Sequence, residues 1–332
     1  MSNVVTMHLA TDIGSKDIKG EPIRAGFGRG LLTAGREDDQ IVGLCADLVE
    51  STKMNEFADV FPDRYIEIGV AEQNLVTVAS GLAAMGKKPF VSSYSAFCPG
   101  RDWEQIRTTI CLNDRPVRVV GSHAGVSVGP DGATHQMLED IPLMRSLPNM
   151  VVVAPGDSIE AEKATLALAK LDKPSYIRLA REATPIFTTH STPFELGRAY
   201  VLREGDDISL IGTGSMTYQC LVAAKILAEK GINAEVVHVP TIKPLDRETI
   251  VTSAKKTRCA VTAEEGQLAG GFGGAIAELL GEECPVPLQR VGIRDRFGES
   301  GQPEQLLEAF GLTGADIAKV ASHLHHTKKG ES

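Results

Sequence analysis

Short apolar runs rich in β-branched residues recur through the first half of the chain: QIVGLCA (40–46), RYIEIGV (64–70), KPFVSSY (88–94), VRVVGS (117–122), MVVVAP (150–155) and SYIRLA (175–180). Between them lie stretches whose apolar positions fall at helical spacing, AEQNLVTVASGLAAMG (71–86), WEQIRTTICL (103–112) and SIEAEKATLALAKL (158–171). Strand and helix in repeated alternation predict a parallel sheet covered on both faces. Asp157 and Ser158 stand at the start of the third helix, Glu160 and Glu162 in its first turn and Lys170 near its end, each charge where the helix dipole favours it.

From Arg181 to Phe194 the pattern dissolves into REATPIFTTHSTPF, which has the composition of an exposed linker. The rhythm restarts with AYVLRE (199–204), DISLIGTG (207–214), a helix over 216–231, AEVVHVP (234–240), a helix from Asp246, CAVTAEE (259–265), a helix from Gly273 and VPLQRVG (286–292). The expected architecture is α/β with two doubly wound domains: 1–185, a linker over 186–195, 196–325, and a flexible tail over 326–332.

A length of 332 residues fits two domains at roughly 150 residues each. With 34 Lys and Arg against 43 Asp and Glu, the net charge is −9, and no basic excess is available for general nucleic-acid binding. No apolar run is long enough to span a bilayer, and MSNVVTMHLATDIGSK lacks a basic segment leading into an apolar one, so a cytoplasmic protein with no membrane partner is expected. The six cysteines are scattered without a C-x-x-C pair, as for plain core thiols. The histidines of HLHHTKKGES (323–332) have no carboxylate or thiol at ligand spacing beside them, and no metal site is assigned.

Two glycine-rich segments, IGTGSMT (211–217) and LAGGFGGAI (268–276), sit at strand–helix junctions, but neither is a full G-x-G-x-x-G with its acidic partner; close packing explains them better than nucleotide binding. More informative is Glu72, in the first turn of an otherwise apolar helix after a strand, where α/β proteins place ligands. The spacing alone equally suits a carboxylate that satisfies the helix dipole. The loop GSHAGVSVGPDGATHQ (121–136) combines glycines and a proline with His123, Asp131 and His135, a composition suited to a substrate loop on a rigid scaffold.

GLCADLVEST (43–52), IEIGVAEQN (66–74), SYSAF (93–97), HAGVSVGPDGATHQ (123–136) and IRLARE (177–182), in this order and at these intervals, resemble the second half of a transketolase, a thiamine-diphosphate enzyme. The resemblance covers essentially the whole chain. It implies a pyrimidine-binding domain followed by a transketolase C-terminal-like domain. The Gly-Asp-Gly and the later Asn-Asn with which transketolases hold the diphosphate and its Mg²⁺ occur nowhere here. The chain thus resembles the small subunit of a split transketolase. This implies an N-terminal partner subunit that holds most of the contacts to Mg²⁺ or Ca²⁺, and an α2β2 heterotetramer in which this chain also self-associates.

By the same resemblance Glu72 matches the glutamate that shares a proton with the cofactor's aminopyrimidine and so activates it. Asp47 and Leu48 match residues lining the cofactor, and Phe97, with Tyr94 nearby, matches the aromatic wall against the pyrimidine. The chain departs from the family just after Phe97, reading CPGRDW with an apparent one-residue insertion. His135 and Asp131 match groups that bind sugar hydroxyls, His135 also being counted with Glu72 among the catalytic residues. Arg24, Ser51, His123 and Arg181 match the set gripping the terminal phosphate of sugar phosphates, a task suited to bidentate Arg. The implied activity is transfer of a two-carbon ketol unit from a ketose phosphate to an aldose phosphate, in the pentose phosphate pathway. Two relatives offer alternatives: 1-deoxyxylulose-5-phosphate synthase, which has Asp-Arg-Ala-Gly where this chain has Ser122-His123-Ala124-Gly125, and the β subunit of a 2-oxoacid dehydrogenase, which lacks GPDGATHQ. A non-enzymatic regulatory or assembly chain is opposed by the intact Glu72, Asp131, His135 and Arg181.

Overall fold

A computed structural model describes residues 7–15 and 17–330. Each β-rich run of the first domain becomes a strand of one seven-stranded sheet, in the order 241–243, 151–153, 175–178, 118–122, 88–94, 41–45, 65–67. Its strands are parallel except Thr241–Lys243, which lies antiparallel on Val151–Val153. That strand comes from the second half of the chain. The second sheet has five strands in the order 288–293, 260–267, 208–212, 234–238, 200–203, parallel except for the edge strand Tyr200–Arg203. The cap expected at Asp157 is present, accepting the Glu160 N–H at 2.9 Å, and Asp246, where a helix was expected to start, caps that helix by accepting the Thr249 N–H at 3.1 Å.

Four features differ from the sequence reading. Ile23–Glu37, where no element was expected, is a 15-residue helix packed on Ser158–Lys170. A Cβ on Gly26 would lie 1.8 Å from the Ser158 carbonyl oxygen, and one on Gly30 2.7 Å from the Thr165 Cβ, so the glycines that weaken the helix locally are what lets the two backbones meet. The predicted helix at 103–112 begins as one α-turn, Trp103–Gln105, and continues with π-type turns over Ile106–Cys111.

The third difference is the linker, which is not simply exposed. Ala183–Pro185 pairs antiparallel with Gly20–Pro22, and Phe187 is fully buried. The N–H groups of Phe187 and Thr188 both donate to the buried Asp157 carboxylate, at 3.0 and 2.7 Å. Beside it His238 of the second domain bonds Glu160 of the first at 2.7 Å and Thr217 at 2.7 Å. The domains therefore share a sheet edge, a buried polar network and one apolar cluster holding Val152, Tyr176, Val237, Val239 and Ile242. The fourth is the expected flexible tail over 326–332, whose first residues continue the helix Gly314–Lys329, started by a reciprocal capping box between Thr313 and Asp316 and burying His325. The last two residues of the expected tail lie outside the described residues.

The glycine-rich segments are packing devices, as expected. A Cβ on Gly273 would meet the Thr262 hydroxyl at 2.6 Å, and one on Gly212 the Thr217 Cα at 2.8 Å. At the start of the helix Phe272–Glu283, the N–H groups of Phe272 and Gly273, which a phosphate would need, are taken at 2.7 Å each by the buried Glu264 carboxylate. Burial pushes that carboxyl up to about 7.

Candidate active site

Five parallel strands of the first sheet end along one edge, at Cys45, Glu67, Tyr94, Ser122 and Arg178, and each is followed within a few residues by candidate site groups. This is the carboxyl edge on which α/β sheets carry ligands. Asp47 follows the first strand with a left-handed backbone (φ 59°), held by its N–H to the Glu67 carboxylate at 2.7 Å; Leu48 beside it is half-buried. Glu67 also accepts the Tyr65 hydroxyl at 2.7 Å and the Gly69 N–H at 2.8 Å, so one carboxylate shapes the turns leading to Asp47 and to Glu72. Glu67 had not been singled out.

Glu72 opens the helix Glu72–Ala84 with its side chain 1% exposed, and borders a cavity of about 560 Å³ whose wall includes Val70, Ala71, Arg101 and Gln105. Its carboxylate does not cap its own helix. One oxygen accepts the Ser93 hydroxyl at 3.2 Å and the other pairs with the Arg101 guanidinium at 2.7 Å. Arg101 comes from the segment where the chain departs from the transketolase pattern, and its guanidinium lies 4.8 Å from the centre of the Phe97 ring.

Phe97, Tyr94, His123 and His135 form an aromatic floor. Tyr94 stacks on His123 with centroids 3.8 Å apart and lies 6.1 Å from Phe97, while His135 stands edge-on to Phe97 at 5.3 Å. His123 is almost fully buried and takes a left-handed backbone (φ 59°); burial first, then the charges of Arg24, Arg181 and His135, push it down to about 3. It therefore offers a neutral imidazole at neutral pH. Its Nδ1 lies 2.8 Å from the Ser122 hydroxyl, leaving Nε2 facing Arg24 at 3.5 Å.

Arg24 and Arg181 converge from opposite ends of the domain. Arg24 donates to the Ser51 carbonyl and, at 3.2 Å, to that of Arg181; its pKa is lowered by burial and by the neighbouring Arg181 charge. Arg181 donates to the Val128 carbonyl and lies 3.6 Å from Asp131 and 3.4 Å from Glu182. Two guanidiniums and a neutral imidazole meet here; both neighbouring carboxylates lie on Arg181, while Arg24 bonds carbonyl oxygens and faces His123. Ser51 enters this group through its carbonyl.

Asp102, next to Arg101, was also missed. It is completely buried, and among the described residues neither carboxyl oxygen has a full hydrogen bond, only the weak Cys98 thiol beside it. Burial first, with the Glu72 charge acting in the same direction, pushes it up to about 7. A raised carboxyl favours the folded state below the unfolded value near 3.8, and that stability is lost as pH rises through 7. Asp102→Asn cannot titrate. In denaturant melts it is expected to gain on the parent by about 1 to 3 kcal/mol between pH 4 and 8; a constant difference across that window would contradict the buried charge.

A family model described as the transketolase pyrimidine-binding domain matches residues 21–186, and one described as the transketolase C-terminal domain matches residues 197–317. The chain belongs to the transketolase family. It is 43% identical over 298 residues to the 6-deoxy-6-sulfo-D-fructose transketolase subunit of Clostridium sp. strain MSTE9, covering 90% of this chain and 92% of the relative. To a transketolase C-terminal section of Methanocaldococcus jannaschii it is 42% identical over 300 residues, covering 90% and 94%. It also matches 47% of the 1-deoxy-D-xylulose-5-phosphate synthase of Crocosphaera subtropica, at 37% identity over 303 residues. A solved structure of a split-gene transketolase, described as an inactive β4 tetramer, superposes with TM-score 0.87 and 43% identity over 92% of this chain and 99% of the other. The Campylobacter jejuni transketolase shares the fold, with TM-score 0.78, 22% identity, and 94% of this chain matched to 48% of that one.

The family uses thiamine diphosphate, and the residues present fit one end of it. A buried carboxylate at the wall of a cavity and an aromatic side chain near it suit an aminopyrimidine. Among the described residues no group of three His, Cys, Asp or Glu is placed to hold a metal ion.

Proposed function

We propose that this chain is the C-terminal subunit of a transketolase that moves a two-carbon ketol unit from a ketose phosphate to an aldose phosphate, and that it acts only when joined to an N-terminal subunit. The observation that carries the reading is the convergence of Glu72, the Tyr94–Phe97 wall, His135 and the Arg24–His123–Arg181 group on one sheet edge. Bound thiamine diphosphate supplies the carbon nucleophile and electron sink that ketol transfer requires. Glu72, itself almost fully buried, would hold and return the proton at the pyrimidine ring nitrogen. Asp47 and Leu48 line the cofactor, and Phe97 packs on the pyrimidine. His135 and Asp131 orient the sugar hydroxyls, and His135 moves a proton at a hydroxyl oxygen. Arg24 and Arg181 bind the distant phosphate, with His123 as a neutral hydrogen-bonding group; binding at that remote end fixes the reacting carbonyl.

The partner subunit holds the diphosphate and its Mg²⁺ or Ca²⁺ and seats on the mouth of the Glu72 cavity, where Val70 is an apolar side chain left 70% exposed. Two copies of each chain form an α2β2 assembly in which this chain also self-associates; the β4 tetramer of the split-gene neighbour supports the self-association. The protein is cytoplasmic; among the described residues no helix is long and apolar enough to cross a membrane.

The test is to offer the purified pair a ketose phosphate with an aldose phosphate and to follow products by mass. Products shifted by two carbons in each direction are expected. Consumption of pyruvate with release of carbon dioxide would instead assign the synthase chemistry, the alternative favoured by the matched halves of the 1-deoxyxylulose-5-phosphate synthases; Ser122-His123 in place of their Asp-Arg weighs against it. The Clostridium relative's substrate carries a sulfonate, so a sulfonated ketose is included as a second donor. Paired guanidiniums favour the phosphate dianion over a monoanion of similar shape.

A further inference from the structure

Arg101 is bonded to the carboxylate that the proposed cofactor must reach, and it rests by the ring on which that cofactor must pack. Its Nη1 lies 2.7 Å from Glu72 Oε2, and its guanidinium carbon 4.8 Å from the Phe97 centroid. The Glu72 side chain is 1% exposed whereas that of Arg101 is 47% exposed, so the carboxylate is fixed and the guanidinium has an open route to solvent. A guanidinium is planar, carries N–H donors at its edge and stacks on aromatic faces, features it shares with an aminopyrimidine.

We propose that Arg101 is an internal placeholder for the aminopyrimidine: it neutralises Glu72 in the free chain and must swing out before the cofactor can bond the same carboxylate. This rests on the assignment of Glu72 above. Ser93 bonds one Glu72 oxygen and Arg101 the other, and Arg101 lines the same cavity as Glu72, so the guanidinium occupies the space that the ring must enter to reach the carboxylate. Without Arg101 the buried carboxylate would face an empty cavity unpaired, a costly arrangement in the free chain. The contact thus stabilises the unloaded subunit and opposes loading, and Arg101 acts as a positioning residue through Glu72.

The test is calorimetric titration of the assembled pair with thiamine diphosphate, using parent, Arg101→Met, Glu72→Gln and the double variant, together with thermal unfolding of each chain alone. Arg101→Met is expected to bind the cofactor about 10-fold more tightly, the size of one charge-assisted contact, while its free chain melts at lower temperature. A merely structural residue would lower both. In the Glu72→Gln background the tightening should vanish, because the amide does not hold the guanidinium in the same way. Unchanged or weaker binding by Arg101→Met, or equal tightening in both backgrounds, overturns the placeholder. Absence of cofactor binding by the parent pair would instead overturn the assignment of Glu72 beneath it. If Arg101→Met does not assemble, Arg101→Lys, which keeps the charge without the plane, decides: it should bind more tightly than the parent, by a smaller factor.

Discussion

Glu72→Gln in the assembled enzyme is expected to lower ketol transfer by about 10² to 10⁴, the usual range for a lost acid–base group, with little change in folding. The amide is nearly isosteric with the carboxyl and can keep the Ser93 hydrogen bond on the buried side of the site. Arg101 loses its partner but is 47% exposed and turns to water. What glutamine cannot do is hold and return the proton at the ring nitrogen. Exchange of the cofactor C2 proton, followed by NMR after a deuterium pulse, measures that function apart from sugar binding. Exchange at the parent rate would reassign Glu72 to a structural role.

The second large effect concerns the anion grip. Arg181→Ala should reduce kcat/KM for a phosphorylated donor about 10-fold to 150-fold, corresponding to about 1.5 to 3 kcal/mol for one charge-assisted contact. It should leave an unphosphorylated short ketol donor nearly untouched. The structure sharpens the choice of control, because Arg181 also bonds Val128 and lies near Asp131 in the loop 121–136. Loosening of that loop would damage both donors alike. Arg24→Ala, which removes a guanidinium anchored on the Ser51 carbonyl instead, should reproduce the selectivity for the phosphorylated donor. Equal losses on both donors in both variants would withdraw the phosphate assignment. Because His123 is pushed down to about 3, it stays neutral from pH 5 to 8, and donor affinity over that range should show no loss of a His123 charge.

The parts of the molecule legible in the sequence were those governed by local rules. Strands declared themselves through β-branched runs, and Asp157 was recognisable as a helix cap because its partner lies three residues away. The helix Ile23–Glu37 stayed hidden because Gly26, Gly28, Gly30 and Gly35 argue against a helix; Gly26 and Gly30 are there for a second helix more than a hundred residues away, Gly28 for the backbone of Lys53 and Gly35 for the rings of Phe57 and Phe61. The linker misled for the same reason: polar composition reads as solvent exposure, yet its N–H groups satisfy Asp157 across about 30 residues of chain.

At the site, family motifs located Tyr94, Phe97, His123, His135, Arg24 and Arg181, and the structure brings these together. Arg101 and Asp102 fall where the motif breaks, so no pattern pointed to them. The pairing of Arg101 with Glu72 spans 29 residues and depends on the turn after the strand Lys88–Tyr94. The departure CPGRDW was itself the available signal, since one of its residues, Arg101, bonds Glu72.

The central claim is that this chain carries the pyrimidine and substrate half of a site completed by another polypeptide. The most direct measurement is thiamine diphosphate and Mg²⁺ titrated by calorimetry into this chain alone, into the N-terminal subunit alone and into the mixture, with ketol transfer assayed on the same samples. The account predicts saturable binding at one cofactor per pair, and turnover, in the mixture only. Tight binding and turnover by this chain without a second polypeptide would contradict it.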